Sequence, residues 1–289
     1  GGWELQPDCN MPSGESFVRQ IMEGRRYFRE KFGVEPSTAI NFDPFGHTRG
    51  LVQIMAKTGY DSYVFCRPGG GDCPLEDETF RWVGYDGSEI MAQRMAAGYN
   101  TPLGESLTKI SSSVDSCPEG GIALCLWGVG DHGGGPSRKD LEDIAVYQKR
   151  MEEQGVRVLH ATPEQYFAAL KESGRALPRH EGDLNSWAPG CYTSQIRIKQ
   201  KHREAENTYF MTEKVCTAAH MLGLMAYPQP ELEQALKGIM FAQFHDSLPG
   251  SSIQPVEDMA LRTLDYSLEI LSQIKARAFF ALAQGQKAA

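Results

Sequence analysis

The chain has 289 residues, of which 41% are hydrophobic, and it is long enough for one large or two moderate domains with substantial cores. Its formal net charge of -8 argues against a nucleic-acid partner, because that affinity comes largely from Lys and Arg side chains that neutralise phosphates. No apolar run approaches the roughly 18 residues that span a bilayer, so we expect no membrane partner either.

The cysteines indicate a reducing environment. There are seven of them, an odd number, and no two form a Cys-x-x-Cys pair. This pattern predicts neither a disulfide framework nor a zinc ribbon. The first residues also lack the charged-then-apolar layout of a signal peptide. We therefore expect a cytoplasmic location.

The first part of the chain alternates helices and strands. The predicted elements, in chain order, are a helix over residues 15–32, a strand over 38–42, a helix over 51–58, a strand over 62–66, a hairpin over 80–95 around Asp86-Gly87, a strand over 122–129, a helix over 137–154, a strand over 156–159 and a helix over 163–172. This alternation predicts an α/β domain of parallel strands with crossover helices over residues 1–180.

The second part is helical. Residues 174–189 include the turn formers Pro178, Gly182 and Pro189 and are interpreted as a linker. Beyond them the apolar periodicity predicts helices over residues 194–225, 231–243 and 255 to about 283. We therefore predict a three-helix bundle over residues 181–289.

Three polar residues come directly after predicted strands. Asp43, Arg67 and Asp131 follow the strands that end near residues 42, 66 and 129. In parallel α/β folds, catalytic groups gather at the carboxyl ends of the strands, where loops can vary without disturbing the core. The three side chains could therefore converge on one site.

Each of these signals also has an ordinary structural interpretation. Asp43-Pro44-Phe45-Gly46 by itself is a turn, and a lone histidine such as His245 is more often a hydrogen-bonded core or cap residue than a ligand. The glycines at 133–135 before a helix could cradle an anion, but no Gly-x4-Gly-Lys-Ser/Thr pattern accompanies them. The basic cluster at 197–203 is interpreted as a solvated helix face rather than a nucleic-acid site.

Taken in order, several motifs resemble the glycoside hydrolase family 38 α-mannosidases. They are Gly1-Gly2-Trp3, Asp43-Pro44-Phe45-Gly46-His47, Gly130-Asp131-His132-Gly133-Gly134-Gly135-Pro136, Gly190-Cys191-Tyr192-Thr193-Ser194 and Phe244-His245-Asp246. The resemblance extends along essentially the whole chain. The Gly130–Pro136 form is more similar to the cytosolic and bacterial branch than to the Golgi or lysosomal branch.

The resemblance implies a retaining glycosidase. Asp43 corresponds to the nucleophile and also to a metal ligand, His245 to a second metal ligand, and Asp131 to the acid/base. The implied cofactor is a single Zn²⁺, or another divalent cation such as Co²⁺, which chelates the cis hydroxyls of mannose. The implied substrate is a terminal α-mannoside or oligosaccharide, hydrolysed through a covalent glycosyl-Asp intermediate.

The resemblance also assigns residues to substrate binding: Phe45, Arg67, Tyr99, Asn100, Tyr192 and Asp246. Phe45 would form an apolar wall under the sugar, and Arg67 would hold the nucleophile's carboxylate or a substrate oxygen. The others would bond sugar hydroxyls. The ordinary alternatives are a core aromatic, a surface ion pair and buried tyrosines that satisfy a local partner. His47 is expected to support the loop rather than bind metal.

The chain departs from the family pattern in one respect that concerns the metal. Family members carry a His-x-Asp pair on the first barrel strand, and none of the seven histidines here has an Asp two residues on. Only two of the four expected ligands remain, and two protein ligands rarely hold zinc tightly. The β-sandwich domains of the family are also absent. We therefore expect an incomplete parallel (β/α) barrel-like domain whose first strand is missing, followed by the bundle.

Two functional hypotheses follow. The first is part of an α-mannosidase, itself inactive, whose intact form hydrolyses α-mannosides with retention and could be a homo-oligomer. The second is a non-catalytic carbohydrate-binding or vestigial α/β plus helical module. A metal-dependent polysaccharide deacetylase is less favoured, because its His-x-x-x-His ligand pattern is not found.

Overall fold

The computed structural model describes residues 1–130 and 134–285. Within these, the helices are α1 (Gly14–Phe32), α2 (Gly50–Lys57), α3 (Ser106–Asp115), α4 (Arg138–Glu152), α5 (Pro163–Glu172), α6 (Ile196–Met221), α7 (Gln229–Ala242) and α8 (Gln254–Gln284). The strands are β1 (Thr38–Asn41), β2 (Ser62–Phe65), β3 (Thr79–Val83), β4 (Glu89–Arg94) and β5 (Arg179–His180). Among the described helices, none has the length and apolar character that crossing a membrane requires.

The strands form one mostly parallel sheet in the order β1-β2-β4-β3-β5. β1 pairs in parallel with β2, and β2 with β4, whereas β3 and β4 are the antiparallel arms of the predicted hairpin. The register of the first pair aligns Asn41 with Phe65, so both strands end at the same level. The predicted fold class, an α/β domain followed by a three-helix bundle, is confirmed.

Local signals explain where the helices begin and end. In α1 the Ser13 hydroxyl accepts a hydrogen bond from Ser16 N, and Gly33 ends the helix at φ 66° with its N–H bonded to Arg29 O. In α5, Thr162 and Gln165 form a reciprocal capping box before the helix, which starts with proline. These boundaries lie within a residue of the predicted ones.

Two large apolar clusters stabilise the two parts of the chain. The first packs α1 and α2 against the sheet, and its centre includes Phe17, Ile21 and Tyr63, all of them buried. The second fills the bundle, where Leu264 and Leu271 of α8 are fully buried. Burial of each such side chain stabilises the fold by about 1.5–3 kcal/mol.

A buried polar network joins the α/β part to the bundle. Glu206 on α6 is 1% exposed, and it accepts hydrogen bonds from Ser13 N at 2.9 Å and from Ser16 Oγ at 2.5 Å. Gln20 of α1 donates to Gln243 Oε1, at the end of α7, at 3.0 Å. Because a buried polar group without a partner is costly, these contacts fix how α1 docks on the bundle.

Two predicted strands are absent from the sheet. Residues 122–129 were predicted as a strand, and their side chains do alternate: Ile122, Leu124 and Leu126 pack beside the sheet, while Trp127 faces α3 and α4. Their backbone, however, joins no ladder, apart from an isolated bridge between Val129 and Gly135. Apolar alternation fixes which side each residue faces, but a strand also needs a partner.

Three further differences concern residues 156–159, β5 and α3. Residues 156–159 also form no strand: Val158 packs against the cluster of α3 and α4, whereas Leu159 is 68% exposed. The predicted linker contains β5, which pairs in parallel with β3. Helix α3 was not predicted, because its amino end is capped from far along the chain: Asp140 accepts hydrogen bonds from Gly104 N and Ser106 N.

Candidate active site

Asp43 and Arg67 meet at the carboxyl edge of the sheet. Each lies two residues beyond the end of its strand, β1 or β2, and these strands are parallel neighbours that end level. Arg67 Nη1 is 3.4 Å from Asp43 Oδ1 and donates a hydrogen bond to Asp43 O at 3.3 Å. The parallel register thus brings together two residues that are 24 positions apart in the sequence.

Tyr99 completes the setting of the Asp43 carboxylate. Its hydroxyl donates to Asp43 Oδ1 at 3.2 Å, and its ring stacks on Phe42 with centroids 5.5 Å apart. Asn100 lies against the backbone that precedes residue 131, because a Cβ added to Gly130 would be 2.4 Å from Asn100 Cβ. Asp131 itself lies outside the described residues.

Phe45 belongs to an aromatic stack that the sequence did not predict. Its ring lies parallel to that of Trp187, with centroids 5.3 Å apart, and the Arg67 guanidinium lies 4.6 Å from the centre of the same indole. Stacking of this kind stabilises a guanidinium in one orientation. The interpretation of residues 174–189 as a linker gives Trp187 no role. The sequence signal for it is a tryptophan among turn formers, three residues before Gly190-Cys191-Tyr192.

His245 is held by the main chain of Gln6. Its ring Nδ1 is 3.1 Å from Gln6 O, and its backbone N–H donates to the same oxygen at 3.3 Å. A carbonyl oxygen only accepts, so Nδ1 donates to it, and in the neutral ring the lone pair is then on Nε2, which lies 3.8 Å from Asp246 Oδ2. Asp246, which is exposed, accepts a hydrogen bond from Ser251 Oγ at 3.0 Å.

His47 is a structural element of the site loop. Its Nε2 donates to Arg67 O at 2.7 Å, and its Nδ1 accepts from the Tyr63 hydroxyl at 2.8 Å. Its backbone exchanges two hydrogen bonds with Leu184. Burial lowers the pKa of His47 to about 4, so the imidazole is neutral near pH 7. Both ring nitrogens are occupied, which fits a supporting role for the loop.

Tyr192 is hydrogen-bonded to the amino-terminal segment of the chain. Its hydroxyl donates to Asp8 Oδ2 at 3.1 Å and accepts from Asn10 Nδ2 at 2.8 Å. Asp8 is fully buried, and burial raises the pKa of its carboxyl group. Asn10 also donates to Asn185 Oδ1 at 3.1 Å. Tyr192 thus ties the amino-terminal segment to the loop that follows Trp187.

The donors suit zinc in type but not in number. A carboxylate oxygen of Asp43 and the Nε2 lone pair of His245 are both atoms that zinc binds. Within residues 1–130 and 134–285, however, no group of three or more His, Cys, Asp or Glu side chains could hold a metal ion. The residues of the described chain therefore do not form a complete zinc site. All seven cysteines lie in this part and are free thiols.

The fold defines a class of protein: an α/β fold with a mostly parallel sheet, in which polar side chains gather at the carboxyl edge of the strands, where such folds place ligand-binding and catalytic groups. Residues 1–189 match the N-terminal domain of glycosyl hydrolases family 38, and residues 186–282 match the alpha-mannosidase middle domain. The chain belongs to glycosyl hydrolases family 38. The predicted family is confirmed.

Named relatives are similar along most of the chain. Alpha-mannosidase G of Dictyostelium discoideum is 30% identical over 269 residues, covering 88% of this chain and 24% of the relative. Alpha-mannosidase 2C1 of Homo sapiens is 30% identical over 269 residues, covering 90% and 25%. The chain thus spans about a quarter of the length of these relatives.

A solved structure supports the fold. The crystal structure of an alpha-mannosidase from Enterococcus faecalis V583 superposes with a TM-score of 0.83 at 21% identity. The match covers 98% of this chain and 34% of that one. The α/β part and the helical bundle are therefore contiguous parts of one known architecture.

Proposed function

We propose that the chain carries part of the active site of a retaining α-mannosidase, with Asp43 as the nucleophile. The observation that best supports this is the setting of Asp43 Oδ1, which is approached by Arg67 at 3.4 Å and by the Tyr99 hydroxyl at 3.2 Å. A carboxylate fixed at the carboxyl edge of the sheet is suited to attack on an anomeric carbon. The names of the relatives favour mannosides as the substrate class.

The proposed reaction has two displacements. Arg67 and Tyr99 both engage Oδ1, so Oδ2 of Asp43 attacks the anomeric carbon. The bond to the leaving oxygen breaks, and Asp131 gives that oxygen a proton. Water then attacks the glycosyl ester, Asp131 takes a proton from it, and the Asp43 carboxylate is restored. Two inversions at the same carbon give retention of configuration.

The sugar would be held by the groups around this carboxylate. Phe45 and Trp187 offer stacked aromatic surface, against which the apolar face of a pyranose ring can pack. The exposed carboxylate of Asp246 is suited to accept from a sugar hydroxyl, and Asn100 lies against Gly130. Tyr192 would act through Asp8 and Asn10 rather than by its own hydroxyl.

Zinc, or cobalt in its place, remains part of the proposal. When bound, such an ion would chelate neighbouring hydroxyls of the sugar. Asp43 and His245 would hold it, and the remaining ligands would have to be supplied from outside the described residues. With these two alone, residues 1–289 should bind zinc weakly.

The experiment compares two polypeptides. Residues 1–289 alone should show negligible turnover of a chromogenic α-mannoside, even with added zinc. The same chain placed behind a segment with the His-x-Asp pair should hydrolyse it, and a fluorinated mannosyl donor that traps glycosyl esters should label Asp43 in peptide maps. Asp43→Asn should lower kcat on the order of 10⁴-fold or more.

Asp61→Asn is the matched control. Asp61 is exposed and directly precedes β2, at the opposite edge of the same sheet, so this substitution should leave turnover unchanged. A label on another carboxylate, or strong turnover by Asp43→Asn, would reject the assignment. Binding of α-mannosides with no turnover by the longer polypeptide would favour a carbohydrate-binding module instead.

A further inference from the structure

Gln6 is the residue that connects the two halves of the site. Its side-chain Oε1 accepts a hydrogen bond from Phe42 N at 2.5 Å, next to Asp43. Its main-chain oxygen accepts from the backbone N–H and from the ring Nδ1 of His245. A glutamine spans only about 6 Å from its carbonyl oxygen to Oε1, so one residue joins the end of β1 to the imidazole.

The position of Gln6 is itself fixed from two sides. Pro7 forms an antiparallel bridge with Phe244, and Asp8 N donates to Gln243 O at 2.8 Å. On the other side, Leu5 N donates to Gln20 Oε1 at 3.1 Å. The segment around Gln6 is thus clamped between helix α1 and the end of helix α7, and both are parts of larger packed units.

The Gln6 side chain accepts from a backbone N–H that lies just beyond the ladder of β1 and β2. The strand ends at Asn41, so the N–H of Phe42 lies just beyond the ladder with β2. Gln6 supplies its acceptor and thereby fixes the backbone from which Asp43 projects. The main-chain contact orients the His245 ring and, in the neutral imidazole, favours the tautomer with the proton on Nδ1.

We propose that Gln6 is a positioning residue that couples Asp43 to His245, its side chain fixing the backbone before Asp43 and its carbonyl fixing the imidazole. The inference rests on the proposed function for its catalytic meaning. The two contacts of Gln6 are properties of this chain, and they can be measured without an activity assay.

The first measurement is the tautomer of His245 in residues 1–289, read from long-range ¹H–¹⁵N spectra of histidine-labelled protein at pH 8. The His245 signal is assigned by its loss in His245→Asn. We expect the Nδ1–H form. The Nε2–H form as the main species would overturn the inference, because Gln6 O would then not hold the ring.

The second measurement is amide exchange at Phe42. Gln6→Leu keeps the side-chain volume but removes the acceptor, so exchange should become about 10-fold faster or more, as expected when a local hydrogen bond is lost. Gln6→Glu keeps an acceptor oxygen and should restore protection. Gln148→Leu is the control, since Gln148 makes a similar single contact, to Val158 O, on distant helix α4. Unchanged protection of Phe42 in Gln6→Leu would overturn the side-chain role.

A third readout separates positioning from general stability. In the longer polypeptide with the His-x-Asp segment, Gln6→Leu should lower kcat by about 10- to 100-fold with little change in KM, and Gln6→Glu should recover part of this loss. A change in KM alone would reject positioning. If Gln6→Leu fails to fold, the tautomer of the unaltered chain and the Gln6→Glu variant still decide the question. Failure of the proposed function, with no label on Asp43, would leave the first two results standing.

Discussion

His47 should make the stability of this protein depend on pH between about 6.5 and 4. Burial lowers the pKa of this imidazole from 6.5 to about 4 in the folded chain. Below pH 6.5 the unfolded chain binds a proton at this residue and the folded chain does not. Stability is therefore lost as the pH falls, and the loss is complete below about pH 4.

The size of the effect follows from the pKa shift. One pKa unit corresponds to 1.36 kcal/mol, so the shift at His47 amounts to about 3 kcal/mol across this window. A domain's free energy of unfolding is only about 5–15 kcal/mol, so the loss should be easy to measure. The His47→Gln variant lacks the titrating ring but keeps an N–H donor that can reach Arg67 O.

The assay is urea unfolding of both proteins at several pH values from 7.5 to 4.5. At pH 7.5 the variant should be less stable by about 1–3 kcal/mol, because the Tyr63 hydroxyl loses its acceptor. This difference should shrink as the pH falls, since only the unaltered chain carries the His47 penalty. His160→Gln, a change at an exposed histidine, should leave the pH profile unchanged. A constant difference between the His47→Gln variant and the parent chain across the window would refute the reasoning.

Two further predictions concern stability, one through packing and one through buried hydrogen bonds. Gly24→Ala should destabilise the fold by about 1–3 kcal/mol despite its gain in helix propensity, because the added Cβ would lie 2.2 Å from the backbone of Trp3. Gly14→Ala, in the same helix, meets only Ile54 at 3.7 Å and should not destabilise, as thermal unfolding can show. Glu206→Ala should lower the free energy of unfolding, measured in urea, by about 3–5 kcal/mol, because it leaves the buried donors of Ser13 and Ser16 unpaired. Glu206→Gln keeps an acceptor oxygen and should lower it by less. Equal losses in the two variants would contradict this reasoning.

Local sequence signals predicted most elements and the residues at their ends. Caps such as Ser13 and Thr162 act on amides three residues away, so they can be recognised in the sequence. Asp43 and Arg67 could be predicted as neighbours for a related reason, because parallel strands of similar length end at the same edge of a sheet.

Only the tertiary structure determined the contacts between residues that are distant in the sequence, because the periodicity of apolar residues along the chain does not encode them. The start of α3 depends on Asp140, 34 positions beyond Ser106, and the apolar alternation of 122–129 did not reveal that this segment joins no ladder. The Trp187 indole contacts the Arg67 guanidinium only because the segment after β5 returns to the edge of the sheet.

The sequence by itself determined the two-part architecture, most of the helices and the family, because periodicity, capping and motif order are local or linear properties of the chain. Only the folded structure placed Gln6 between Phe42 and His245, since this arrangement requires the bundle to dock against the sheet and brings Gln6 to a residue 239 positions away. Such docking depends on the shape and hydrogen bonding of whole surfaces, which no short stretch of residues encodes.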